Sequence, residues 1–163
     1  MQSAAQTFGW NGSKASGRGF GIACGFEKGG YVGTCAEIEV NSGKEIKVIR
    51  VTQAFECGAI INPHHLENQV TGAIVQGLGG ALFEAVQFAD GKILNAGLSS
   101  YRVPRFSDVP KIEVILLDRK DLPSAGAGEA AIVGVAPAIR NAILDAAGTV
   151  VNTLPMLPNG MLV

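Results

Sequence analysis

Between Gly19 and Ala54 apolar and polar residues alternate with a period of two, interrupted by glycine- and asparagine-rich breaks. This is the pattern of short strands joined by tight turns. Gly19–Phe26 predicts a glycine-rich first strand. Tyr31–Val40 predicts a second, with Val32, Thr34, Ala36, Ile38 and Val40 on one face. After the turn signal Asn41-Ser42-Gly43-Lys44, Ile46–Ala54 predicts a third, in which Ile46, Val48 and Arg50 oppose Lys47, Ile49 and Val51. Short turns between such strands imply antiparallel pairing.

The period then lengthens. Asn62 offers a side-chain cap and Pro63 suits the first helical position, so a helix is expected from here to about Glu84. Its aliphatic face is Val70, Ile74, Gly77, Leu78 and Ala81. Another face carries Gln69 and Gln76, nearly in line, among Gly72, Ala73, Gly79 and Gly80. A ligand or backbone approaching closely would explain that face; so would helix packing with two solvent-facing amides. Asp90-Gly91 signals a hairpin before Lys92–Leu98, and Lys111–Asp118 is the clearest strand, Ile112, Val114 and Leu116 opposing Glu113, Ile115 and Leu117. A breaker-rich loop, Leu122–Glu129, precedes a last helix that starts near Pro137. Ile139, Ile143, Leu144 and Ala147 form its expected buried stripe, and Gly148 ends it. Residues 149–163 read as an apolar tail broken by Pro155 and Pro158. Residues 1–16 read as a polar, flexible lead-in, which leaves 17–163 as the folded domain. The fold class is α+β: antiparallel sheet packed with two main helices.

Composition adds a hint of incompleteness. Charged residues are 17% of the 163 and glycine appears 22 times, against roughly 25% and 7% in ordinary soluble domains. A surface partly covered by another subunit, domain or large ligand would account for this; so would an ordinary glycine-rich domain. Net charge is −1 with no Lys/Arg run, which leaves nucleic acid no electrostatic handhold. The apolar stretches are short or interrupted, arguing against a membrane span of about 20 residues. Met1–Trp10 lacks the features of a signal peptide, so compartment is undecided. Cys24, Cys35 and Cys57 form no CxxC pair and read as small buried hydrophobes rather than metal ligands. His64 and His65 lack a second pair of ligands, and no metal site is expected.

The sharpest chemical candidate is Glu129, flanked by Gly128 and Ala130 with no cation beside it in sequence. In dry surroundings its pKa would rise, the condition for a general base near neutral pH. A carboxylate favoured at a helix start is the plainer account. Gly126–Ala131 also fits a GxGxxA fingerprint, but the preceding strand ends near Asp118, too far for the tight strand-to-helix turn that motif requires.

Three strings occur in an order that resembles a known family. Asn62-Pro63 followed by Gln69, Gly72, Gln76, Gly77 and Leu78 is similar to the NP…QxxGxxxQGL helix of molybdenum hydroxylase large subunits. Those include xanthine dehydrogenase, aldehyde oxidase and the isoquinoline 1-oxidoreductase β subunit, the last being the nearest type. Tyr101-Arg102-Val103-Pro104 resembles the family's Y-[RK]-[IVL]-P segment, and Gly128-Glu129 with Ala136–Ile143 resembles its catalytic G-E-P loop and following helix. The resemblance implies a C-terminal molybdopterin-binding portion in which Glu129 is the base that deprotonates the attacking oxygen. It implies that Gln69 hydrogen-bonds the molybdopterin cofactor, with Gln76, Gly77 and Gly128 nearby. It further implies an aldehyde or N-heteroaromatic substrate, the remainder of the large subunit and a small [2Fe-2S] subunit as partners. Ala130 stands where many members have proline. The family's other cofactor-gripping loops are absent, so the isolated chain is expected to hold no molybdenum and to be inactive. The alternative is a non-catalytic interaction domain on the same scaffold.

Overall fold

A computed structural model describes residues 1–42 and 44–157. Its centre is a four-stranded sheet. β1 (Arg18–Glu27), β2 (Gly30–Val40) and β3 (Ile46–Glu56) form an antiparallel meander. The long helix α2 (Pro63–Leu82) and a two-residue hairpin, β4 (Phe88–Ala89) with β5 (Lys92–Ile93), follow before β6 (Lys111–Leu116). The chain expected to extend through Leu98 is strand only at Lys92–Ile93. Tyr101–Pro104 lies at the far end of α2: the Tyr101 hydroxyl donates to Glu84 at 3.2 Å, and Arg102 stacks 4.3 Å from the Phe83 ring. β6 joins β3 in parallel, giving the order β1-β2-β3-β6. The sheet is antiparallel-dominated, as the α+β reading expects, with one parallel edge added. That edge follows from the crossover through α2, which returns the chain to the same end of the sheet.

One face of the sheet buries α2 and α3 (Val135–Ala147). Strand alternation accounts for Val32, Ala36 and Ile38, but not for Val48 and Val51, which both enter this core. A bulge resolves the parity: Glu37 faces Arg50 while Ile38 faces Val48, so Ile49 is the extra residue. On α3 the buried stripe is Val135, Ala138, Ile139, Ala142 and Ile143, while Leu144 is exposed. The expected stripe was rotated toward the larger side chains. The real one is set by β1: a Cβ on Gly21 would sit 1.9 Å from the Ala138 carbonyl oxygen, and one on Gly19 2.1 Å from that of Ala142. Helix and strand backbones nearly touch, and alanine is what fits between them. The stretch Ala130–Ala147, with mean hydropathy 1.4, is long and apolar enough to cross a membrane by composition. Its apolarity matches its place against β1, α2 and the core.

The opposite face carries α1 (Gln2–Phe8), so residues 2–8 of the segment expected to be a loose lead-in form a packed helix. Ala4 and Phe8, one turn apart, are buried with Phe20, Cys35 and Ala54. Arg50 stacks 3.9 Å from the Phe8 ring and donates to the Phe8 carbonyl at 2.7 Å. Glu37 accepts from Arg50 at 2.5 Å and from Arg18 at 2.7 Å. Burial alone would raise the Glu37 carboxyl, but the two guanidinium groups outweigh it and hold it below its usual value. A depressed carboxylate stabilises the fold above its unfolded-state pKa, about 4.3; that contribution is lost as pH falls through the folded value. Urea midpoints measured between neutral and acid pH should therefore show wild type ahead of Glu37→Gln, the gap closing below about pH 4.3. A constant gap would mean that this carboxylate does not titrate with unfolding. Of the cysteines, Cys35 and Cys57 are buried as expected; Cys24 is exposed.

Candidate functional site

The site forms where the loop after β6 runs back along the residues after β3. Leu117 N–H donates to the Phe55 carbonyl at 2.9 Å, Arg119 to Gly58 at 3.2 Å, and Ala125 to Cys57 at 2.7 Å. Gly58 is left-handed, and a Cβ there would sit 2.0 Å from the Pro123 carbonyl oxygen, so the two segments close only around glycine. The first segment then enters α2 as expected: Asn62 caps it, accepting from the His65 N–H at 3.1 Å. Both segments are thereby delivered to the same end of the molecule. Between them lies an open cavity of 320 Å³, bordered by Cys57, Asn62, His65, Gln69, Ser124 and Ala127.

Two of the candidate segments meet here. The Gln69 side-chain amide donates to the Gly128 carbonyl at 2.8 Å, tying the amide-bearing face of α2 to the loop that carries Glu129. Gln76 is also exposed on that helix, about 10 Å further along it at 1.5 Å per residue. Gly77 is different: it is buried, and a Cβ there would lie 2.9 Å from Val135 Cβ. Its smallness serves the contact between α2 and α3. Gly72 and Gly80 have the open surroundings that an approaching ligand would need; a Cβ on either meets nothing within 4 Å.

Glu129 does not lie in dry surroundings. Its side chain is 70% exposed, and its Oε2 is 2.6 Å from the Lys28 ammonium. Lys28 sits at the β1–β2 turn with φ 48°. Its hydrogen bond and charge hold the Glu129 carboxyl below its ordinary value, the reverse of the shift expected from desolvation. The expectation failed because a cation absent from the neighbouring sequence is brought in by the sheet, from 101 residues away. What the geometry offers is an ionised carboxylate at neutral pH, on a loop anchored at its base and accessible from outside. Among the described residues no group of three His, Cys, Asp or Glu side chains converges as metal ligands.

Sequence reasoning missed Lys28, Gly58 and the buried pair Thr34 and Gln53 behind the loop. Gly58, two residues beyond the end of β3, carried a turn signal; the others carried none.

Residues 27–110 match the family described as a molybdopterin cofactor-binding domain; the match contains Gln69, Gln76 and Gly77 and ends before Glu129. The chain is 34% identical over 139 residues to the aldehyde oxidoreductase molybdenum-binding subunit PaoC of Escherichia coli, covering 80% of this chain and 19% of that protein. It is 34% identical over 143 residues to the isoquinoline 1-oxidoreductase subunit beta of Brevundimonas diminuta, covering 87% and 18%. Quinoline 2-oxidoreductase from Pseudomonas putida 86 superposes with a TM-score of 0.73 at 30% identity, over 80% of this chain and 18% of that one. The chain thus spans about a fifth of the length of the relatives it matches.

Proposed function

This chain belongs to the molybdopterin cofactor-binding portion of the molybdenum hydroxylase family, and on that premise we propose that it supplies Gln69 to the cofactor and Glu129 as the general base of a hydroxylation at an aldehyde or N-heteroaromatic carbon. The observation that carries the reading is the Gln69–Gly128 hydrogen bond, which joins the amide face and the carboxylate loop into one surface. The residues present fit the cofactor. Exposed amides at Gln69 and Gln76 flank open glycine positions at Gly72 and Gly80, a neutral surface suited to a flat heterocycle rich in nitrogen and oxygen. When bound, molybdopterin supplies the redox chemistry of the reaction. The chain's own residues do the rest. Gln69 orients the cofactor edge while holding the loop, and Glu129, already ionised, takes a proton from the oxygen that attacks the substrate carbon.

The chain works in this reading as one piece of a larger subunit, beside the remainder of the large molybdenum subunit and a small [2Fe-2S] subunit. Apolar side chains left in the open, with Leu98 98% and Phe106 101% exposed, support a covering partner. The isolated chain would hold no molybdenum and show no turnover. In the assembled enzyme, Gln69→Ala should weaken cofactor affinity by about tenfold, as loss of a supporting hydrogen bond does at other metal sites, and so lower the molybdenum content read by metal analysis. Full occupancy in that variant would sink the cofactor role of Gln69.

A further inference from the structure

Thr34 and Gln53 are fully buried on the helix-bearing face of the sheet, among Val32, Ala36, Val51 and Phe55. They face each other directly across β2 and β3. The Gln53 side-chain nitrogen donates to Thr34 Oγ1 at 2.7 Å and to the Ala131 carbonyl at 2.9 Å. Its Oε1 accepts no hydrogen bond from any described residue. A buried, unmatched carbonyl costs about 1–3 kcal/mol, and glutamine carries that cost here. The bond to Thr34 within the sheet does not by itself offset it.

The second bond of Gln53 reaches Ala131. Ala130–Ile132 is a single 3-10 turn whose capping residue is Glu129. Ile132 N–H closes the turn onto the Glu129 carbonyl at 3.0 Å. Gln53 holds the centre of that turn down on the sheet, while Gln69 holds Gly128 from the outside. Thr34 braces Gln53 and also packs close against the start of α3: a Cβ on Gly134, the cap of that helix, would lie 2.2 Å from Thr34 Oγ1, so only glycine fits there. We propose that the buried Thr34–Gln53 pair is a positioning device that sets the height and orientation of the Glu129 turn above the sheet. Its catalytic consequence rests on the reading of Glu129 as base.

The test is amide hydrogen exchange, followed by NMR on this chain, in Gln53→Met. The Ile132 and Val133 amides should exchange about tenfold faster, the effect of losing one hydrogen bond of ordinary strength, while the β2–β3 ladder keeps its protection. Thr34→Val, which keeps the core volume, should give a smaller acceleration at the same amides and serves if Gln53→Met does not fold. Unchanged exchange at the turn would overturn the proposal. In the assembled enzyme Gln53→Met should lower kcat about tenfold at unchanged KM, since substrate binding is untouched. If Glu129→Gln is inactive while Gln53→Met changes neither exchange nor kcat, the positioning proposal fails and the base reading stands. If the turn loosens but Glu129→Gln keeps full turnover, the base reading fails and the clamp on the turn stands.

Discussion

Replacing Glu129 with glutamine should lower turnover of the assembled enzyme by about 10²–10⁴-fold, the usual contribution of a positioned general base, with little change in the stability of the chain. The two halves of that expectation come from different observations. Glutamine keeps the shape of the side chain but cannot accept the proton, so a base lost here is lost at the chemical step and KM should hardly move. The side chain is 70% exposed and its partner Lys28 is 69% exposed, and exposed ion pairs contribute little to folding. A drop in turnover accompanied by unfolding would therefore contradict the structure as well as the proposal. Unchanged turnover would return the chain to the scaffold reading. Lys28→Met provides a companion measurement with a definite sign. Lys28 depresses the Glu129 carboxyl, so removing it raises that pKa. A base is active only when deprotonated, so the acid limb of the pH–rate profile should move to higher pH. No movement would mean that Lys28 leaves Glu129 when the cofactor and the rest of the subunit are in place.

Local rules made the scaffold legible, and long-range ones hid the site's electrostatics. Alternation marked β1, β2 and β3, and the Asn62-Pro63 start marked α2 along with its buried stripe of Val70, Ile74, Leu78 and Ala81. The bulge at Ile49 was not readable, because a one-residue slip leaves the local composition unchanged and becomes defined only against β2. Helix α1 was hidden for another reason: seven residues with two buried side chains form too short a signal, and its stability comes from the sheet and from Arg50. At the site, the motifs Gln69 and Gly128-Glu129 could be named, but their meeting is set by the loop's backbone bonds to residues 55–59. The pKa of Glu129 was misjudged because it depends on Lys28, which only the folded sheet brings near. Gln53 looked like one more strand residue until its amide was seen to hold Ala131.

The glycines of β1 show most sharply how composition becomes architecture, and Gly21→Val should be among the most destabilising substitutions in the chain. Its Cβ would meet the Ala138 carbonyl oxygen at 1.9 Å and the Ala142 nitrogen at 2.3 Å. Both are backbone atoms of α3 that no rotamer change can move. Strand and helix must separate, and Ala138, Ile139 and Ala142, all fully buried, lose close packing together. Overpacking of this kind costs about 3 kcal/mol or more, a fall in Tm of about 6–12 °C for a chain of this size. Gly72→Ala is the contrast. Gly72 lies within α2, exposed, with nothing within 4 Å of a Cβ, so alanine there should stabilise by about 0.5–1 kcal/mol through helix propensity alone. Thermal melts of the two variants should move in opposite directions. An unchanged melt for Gly21→Val would mean that the α3–β1 contact is looser than these distances require, and that the Glu129 turn, which leads directly into α3, lacks the rigid base on which its role depends.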